Sequence, residues 1–212
     1  LIDESMNFKL TWFGKEFPQG HTRMPKLGME PIRKDALVKA TIAEIGRAGS
    51  LDVTVSQIAR RAGMSPALAH HYFGSKEEMF LAAMRHILSL YGAEVRGALA
   101  ATQGPEARLG AILRASFSPG NFRREAVGAW LNFWVLAQTV PQARRLLAIY
   151  QRRLRSNLMA CLRPLAGDKA AALADGLGAL IDGLYLREVL KSGPPDGAAA
   201  VATALNYLNS HL

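Results

Sequence analysis

Residues Thr54 to Lys76 read TVSQIARRAGMSPALAHHYFGSK. Two short amphipathic runs flank Gly63. In the first, Thr54 stands three residues before Gln57. That is the spacing of a capping box, in which each side chain satisfies the other residue's backbone N–H. Val55, Ile58, Ala59 and Ala62 follow at helical intervals and form the apolar face of that run. Gly63 ends it, because glycine reaches the left-handed conformation of a helix stop without steric cost. Ser65 caps a second run, with Pro66 at its first position, where a missing N–H loses nothing. A short helix, a glycine turn and a second short helix make the layout of a helix-turn-helix.

The second helix of such a motif enters the DNA major groove and offers its N-terminal side chains to base edges. That use accounts for the composition after the turn. Ser65 and the free N–H groups of the helix start can meet a phosphate. Pro66 and Ala67 are small enough to let the backbone come close, and their apolar atoms suit a thymine methyl; Leu68 is the next of the expected DNA-contacting positions. His70, His71 and Tyr72 can hydrogen-bond phosphates or bases. Lys76 brings charge to a flanking phosphate, and Thr54 stands at the start of the supporting helix. Adjacent histidines also suggest a metal, but neighbours on a helix point about 100° apart, so no metal and no cofactor is expected.

Outward from this motif the helical period continues. Ile32, Leu37, Val38, Ile42 and Ile45 recur at helical spacing from Pro31, and Gly49 marks a stop. Ser75 caps a fourth helix with Glu77 and Glu78 in its first turn, where carboxylates favour the helix dipole. After Gly104-Pro105, helices are expected over 105–118, 122–139, 141–163, 168–191 and 195–211. SPGN, Pro141, PLAGD and SGPPDG punctuate them. No stretch alternates with period two, so the expected fold is all-α with roughly nine helices. Residues 1–23 lack a helical period and read as a leader. Residues 24–75 are expected to form the helix-turn-helix domain, and 76–212 a helical bundle for effector binding and dimerisation.

The chain has 212 residues and is 50% hydrophobic, which is enough for a substantial core. The net charge of +9 favours a polyanionic partner. It is spread along the chain: residues 24–90 carry nine basic against six acidic side chains, and residues 91–212 fourteen against eight. Charge alone therefore does not locate a binding face. The single cysteine, Cys161, permits no intrachain disulfide and fits a reducing compartment. With no apolar run near bilayer length, a cytoplasmic location and no membrane partner are expected.

The run TVSQIARRAGMSPALAHHYFGSKEEMFLAAM resembles the signature of TetR-type transcriptional regulators, through its IA-x-x-AG-x-S core, the Tyr72-Phe73 pair and the S-K-E-E that follows. It departs from that pattern at Leu68, where threonine is usual, and at His70, where tyrosine is usual. MPKLGMEPIRKDALVKAT (24–41), AWLNFWVLAQTVPQARRLLAIYQRRLRSNL (129–158) and GALIDGLYLREVL (178–190) are similar to the choline-responsive repressors of glycine betaine synthesis within that family. This resemblance covers 24–212. It implies a TetR-like fold and a homodimer through the last two long helices. It also implies double-stranded operator DNA as partner, upstream of choline transport and oxidation genes, with choline or betaine aldehyde as effector.

The second half contains a stripe that suits such an effector. Trp130, Phe133 and Trp134 share one helical face, and Asp182 and Tyr185 share another. Aromatic faces attract a quaternary ammonium, and a carboxylate complements its charge. The same stripe is equally what a helix buries in a core, and Asp182 can instead pair with Arg187. Gly176, Gly178 and Gly183 weaken their helix unless it packs closely against a twin. RR (144–145) and RRLR (152–155) give a solvated basic face. An enzyme is not expected, since the chain has no phosphate-binding glycine loop, HExxH or nucleophile elbow. A TetR-type repressor answering to a drug, lipid or signal molecule is the alternative.

Overall fold

The computed structural model describes residues 28–212; the leader read at residues 1–23 lies outside the described residues. Among the described residues there are nine α-helices and no strand. They are α1 (Met29–Ala48), α2 (Val55–Arg61), α3 (Pro66–Phe73), α4 (Lys76–Ala100), α5 (Pro105–Ser116), α6 (Arg124–Thr139), α7 (Pro141–Ala166), α8 (Ala170–Leu190) and α9 (Gly197–Asn209), with a 3₁₀ turn at Gly167–Lys169 before α8. None of these helices is long and apolar enough to cross a membrane.

Helices α1–α3 close around Leu37, Ile45, Ile58 and Ala69, all fully buried, with Met79 from the start of α4. Both halves of the capping box form: Thr54 N donates to Gln57 Oε1 at 2.7 Å, and Gln57 N donates to Thr54 Oγ1 at 3.2 Å. Gly63 takes φ +68° and Gly74 φ +73°, so both turns that bound α3 use conformations glycine tolerates. One buried carboxylate ties the motif together. Glu44 of α1 accepts from Arg47 at 2.8 Å and from Arg61 of α2. These hydrogen bonds, that from Arg47 first, hold its carboxyl below the usual range.

Several helix ends differ from the expected boundaries: α5 ends at Ser116, α6 starts at Arg124, α8 spans Ala170–Leu190 and α9 Gly197–Asn209, and prolines are involved at α1 and α7. α1 starts at Met29, two residues ahead of Pro31. The first four N–H groups of a helix have no intrahelical partner, so Pro31 is accommodated inside the first turn. α7 runs through Pro164 to Ala166. In the last turn a proline forfeits a single backbone bond, and Gly167 at φ +52° makes the stop instead.

The remaining helices form a bundle in which α7 packs on α5, α6 and α8, and α8 on α9. α4 belongs to both parts, touching α1 and α3 at its start and α5, α6 and α7 further along. A second connection is closer. α6 crosses α1 at Gly46, where a Cβ would stand 2.4 Å from the Glu125 carbonyl oxygen, and a Cβ on Gly128 would stand 3.3 Å from the Gly46 backbone. The two backbones meet there without side chains between them.

Candidate functional site

The N-terminal end of α3 is open to solvent. Ser65, Pro66 and Ala67 are exposed, Leu68 is half-buried, and Ala69 turns fully inward as the anchor. Ser65 Oγ accepts from Leu68 N at 3.2 Å, which fixes the first turn. His70 and His71 are exposed, one turn further on. His70 Nδ1 lies 3.2 Å from the Gly74 carbonyl and so also closes its own helix end. The His71 ring lies 5.4 Å from that of Tyr72, centroid to centroid. The Tyr72 hydroxyl accepts from Arg33 of α1 at 3.4 Å. Lys76 Nζ sits 5.4 Å from the centre of the Phe80 ring, beside the start of α4. Thr54 is exposed, but the capping box already engages its hydroxyl. All nine residues therefore lie on or next to one helix-turn-helix. Arg33, beside Tyr72, is a cation on that flank which the motif alone does not point to.

Between α4, α6, α7 and α8 lies a cavity of about 20 Å³, lined by Leu88, Tyr91, Asn121, Trp130, Tyr150 and Tyr185 among others. The Trp130 and Tyr150 rings meet edge to face at 5.0 Å, as do Tyr91 and Tyr150 at 5.5 Å. The Tyr91 hydroxyl is 3.2 Å from Ser116 Oγ, and the Tyr185 hydroxyl donates to the Ser116 carbonyl, so the Tyr91 and Tyr185 rings are held in place. Burial pushes the hydroxyls of Tyr91, Tyr150 and Tyr185 upward, and the charge of Asp182 adds to that in all three. Asp182 does not line the cavity, but it is near enough for its charge to reach all three tyrosines. It is half-buried, and burial alone pushes its carboxyl up to about 6. Among the described residues it has no ion pair or hydrogen bond, Arg187 included. The result is three tyrosines and a tryptophan around a small space, with one carboxylate that lacks a counter-ion. Chemically, such a group suits an organic cation.

The stripe read from the sequence is divided by the fold. Trp130 and Tyr185 line this cavity; Asp182 does not, and acts on it through its charge on the tyrosines. Phe133 is fully buried in the core and does not line the cavity. Trp134 is half-buried against the core, and its indole N–H has no hydrogen-bond partner. Tyr91 and Tyr150 complete the ring and were not among the residues the sequence pointed to. Each comes from a different helix, α4 and α7, so spacing along the chain carries no sign of them. Of the three glycines in α8, Gly176 owes its place to its own chain, since a Cβ there would stand 2.4 Å from the Tyr207 hydroxyl of α9. A Cβ on Gly178 or Gly183 would meet nothing within 4 Å.

Residues 37–83 match the family model "Bacterial regulatory proteins, tetR family", and residues 105–212 match "BetI-type transcriptional repressor, C-terminal". The chain is 49% identical to the HTH-type transcriptional regulator BetI of Brucella anthropi over 186 residues, covering 87% of this chain and 96% of that one. It is 50% identical to the BetI of Rhizobium meliloti over 190 residues, covering 89% and 94%. Among solved structures, a putative transcriptional regulator from Pseudomonas aeruginosa PAO1 superposes with a TM-score of 0.73 at 26% identity, covering 89% of this chain and 94% of that one. A putative transcriptional regulator from Saccharomonospora viridis, in complex with choline, superposes with a TM-score of 0.73 at 21% identity, covering 84% and 96%.

Proposed function

This chain belongs to the BetI-type repressors of the TetR family, and we propose that choline, or a close quaternary ammonium such as betaine aldehyde, binds at its aromatic cavity and releases it from operator DNA. The observation that carries this reading is the ring of Tyr91, Trp130, Tyr150 and Tyr185 around one small space, with the charge of Asp182, which has no ion pair among the described residues, reaching its tyrosines. A desolvated quaternary ammonium on aromatic faces is worth about 2 kcal/mol. A paired carboxylate adds to that by recovering the cost of its own burial.

The DNA contacts are assigned to Ser65, Pro66, Ala67, Leu68, His70, His71, Tyr72 and Lys76, with Thr54 supporting, and the genes controlled to choline uptake and oxidation. The repressor works as a homodimer. Ala172, Ala179, Gly183, Leu186 and Leu190 recur along one outward face of α8, and Leu190 is 77% exposed. An apolar stripe of this kind suits a second copy of the chain.

Release follows from size. A space of about 20 Å³ takes roughly one water, and a trimethylammonium group is several times larger. Binding therefore requires the walls to part. One wall, Tyr91, is on α4, which begins at the reading helix; another, Trp130, is on α6, which touches α1 at Gly46. A ligand that favours the parted form draws the population away from the form whose reading heads fit the operator. A tenfold loss of operator affinity needs only about 1.4 kcal/mol of such coupling.

Titration with choline, followed by tryptophan fluorescence and by operator binding, tests the reading. Saturable quenching at submillimolar choline with parallel operator release is expected, and Trp130→Ala should abolish both while retaining the operator. If choline leaves fluorescence and operator affinity unchanged at millimolar levels, the effector is of another class.

A further inference from the structure

Against the aromatic cavity lies a larger space that the cavity's own chemistry does not explain. A groove of about 600 Å³ lies between α4 and α7, within the size range of small-molecule sites. It shares Leu88, Tyr91 and Tyr150 with the aromatic cavity, so only these side chains separate the two. Its lining carries Arg85, Arg96 and Arg153 and no acidic residue. Arg153 stands one turn beyond Tyr150 on α7, and Arg96 five residues beyond Tyr91 on α4, an axial rise of about 7.5 Å. Arg96 is folded back along α4: its Nη1 lies 3.2 Å from where a Cβ on Gly92 would be, so the bare glycine makes room for it. Arg85 is shared with Glu78 at 3.9 Å, whereas Arg96 and Arg153 have no ion pair among the described residues. Ser89, Ser156 and Asn157 add neutral hydrogen-bonding groups.

Three guanidiniums in the groove next to a cation site would repel a simple cation. They make sense if the ligand carries both charges. We propose that the combined site takes a zwitterion, a quaternary amino alcohol esterified with phosphate or sulfate. Its ammonium sits on the Tyr91/Trp130/Tyr150/Tyr185 group near Asp182, and its anionic ester sits on Arg96 and Arg153. The charges divide the same way: the arginines line only the groove, whereas the charge of Asp182 reaches the tyrosines of the ring. Guanidinium forks match phosphate and sulfate oxygens geometrically as well as in charge. The proposal rests on the aromatic site binding a quaternary ammonium, and extends it to the class of effector that binds best.

Calorimetric titration of the full chain with choline, phosphocholine, choline sulfate and inorganic phosphate tests this. On the unaltered protein at least one ester should bind tenfold or more tightly than choline, and inorganic phosphate far more weakly than either ester. A preference for phosphocholine over choline sulfate assigns the dianion as the better match, and the reverse assigns the monoanion. In the Arg96→Gln/Arg153→Gln double variant that preference should vanish, while choline affinity stays the same or rises because two repelling charges are gone. Choline binding retained by the variant doubles as its control for folding. Choline binding as well as both esters on the unaltered protein, or a preference that survives the double substitution, overturns the zwitterion proposal and leaves the cation site standing. Inorganic phosphate binding as tightly as an ester overturns it too, since the groove is then an anion site independent of the ring. Absence of binding by choline and both esters removes the aromatic reading together with this one.

Discussion

Replacing Asp182 by asparagine is expected to stabilise the protein and to remove its response to a cation. Burial raises the carboxyl to about 6, against about 3.9 for an unfolded aspartate. A tenfold change in proton affinity corresponds to about 1.36 kcal/mol, so the ionised group costs the fold at most about 3 kcal/mol. Because the side chain is only half-buried, water screens part of that cost and roughly 1–3 kcal/mol is the range expected. The sign follows from the direction in which burial moves the carboxyl. A raised pKa gives stability that is fully present below about pH 4 and is lost as pH rises through about 6. Asparagine keeps the shape without the charge, so Asp182→Asn should melt higher at pH 7.5, by roughly 2–4 °C per kcal/mol for a chain of this size. It should lose the part of the wild-type decline that falls between pH 4 and pH 6. Wild-type affinity for choline should fall below pH 6, as the carboxyl takes up a proton, while the variant's weak binding should not vary there. Calorimetric melting across pH, with choline titrations at pH 5 and 7.5, provides the readout. A variant no more stable than wild type at pH 7.5, binding choline as well as wild type does, would refute the reasoning.

Three other sets of substitutions bear on the remaining parts. Lys76→Ala should weaken binding to all DNA sequences and reduce the salt slope by about one, whereas His71→Ala should weaken operator binding with little change in melting; gel shifts across a salt series separate them. Gly46→Ala forces a Cβ into the Glu125 carbonyl and should cost about 1–3 kcal/mol. Gly97→Ala, on α4 with nothing within 4 Å, should instead stabilise by about 0.5–1 kcal/mol, a contrast that denaturant titration can read. Leu186→Glu should dissociate the dimer, and sedimentation at micromolar concentration should then find a monomer.

The reading helix was legible in the sequence because its determinants are local. Thr54 and Gln57, Ser65 and Pro66, and the glycines at 63 and 74 act on neighbours within four residues, so spacing alone specifies the turns. The aromatic group was legible only in part. Helical period correctly puts Trp130 and Phe133 on the inward side of α6, where both are buried. It does not say what lies opposite each of them: Trp130 faces Tyr150 at 5.0 Å, while Phe133 meets only core. Tyr91, 39 positions before Trp130, joins the ring through tertiary packing that no periodicity encodes. Gly176 shows the same limit, since the reason for its missing side chain is a hydroxyl 31 residues further along the chain.

The bare crossing of α1 over α6 has a mechanical consequence. Side chains between helices act as soft spacers, and where backbone meets backbone at Gly46 there is almost no compliance. The contact therefore behaves as a fulcrum. α4 is 25 residues long, about 37 Å, and Tyr91 lies about 22 Å along it from Lys76 by the same rise per residue. Pushing outward at Tyr91 against such a fulcrum would put torque on the reading domain, whose helices α1 and α2 Glu44 ties together. An effector acting this way changes the separation and tilt of the two reading heads in a dimer while leaving each head's base preference untouched. Operators with altered half-site spacing should accordingly be bound best by the liganded form.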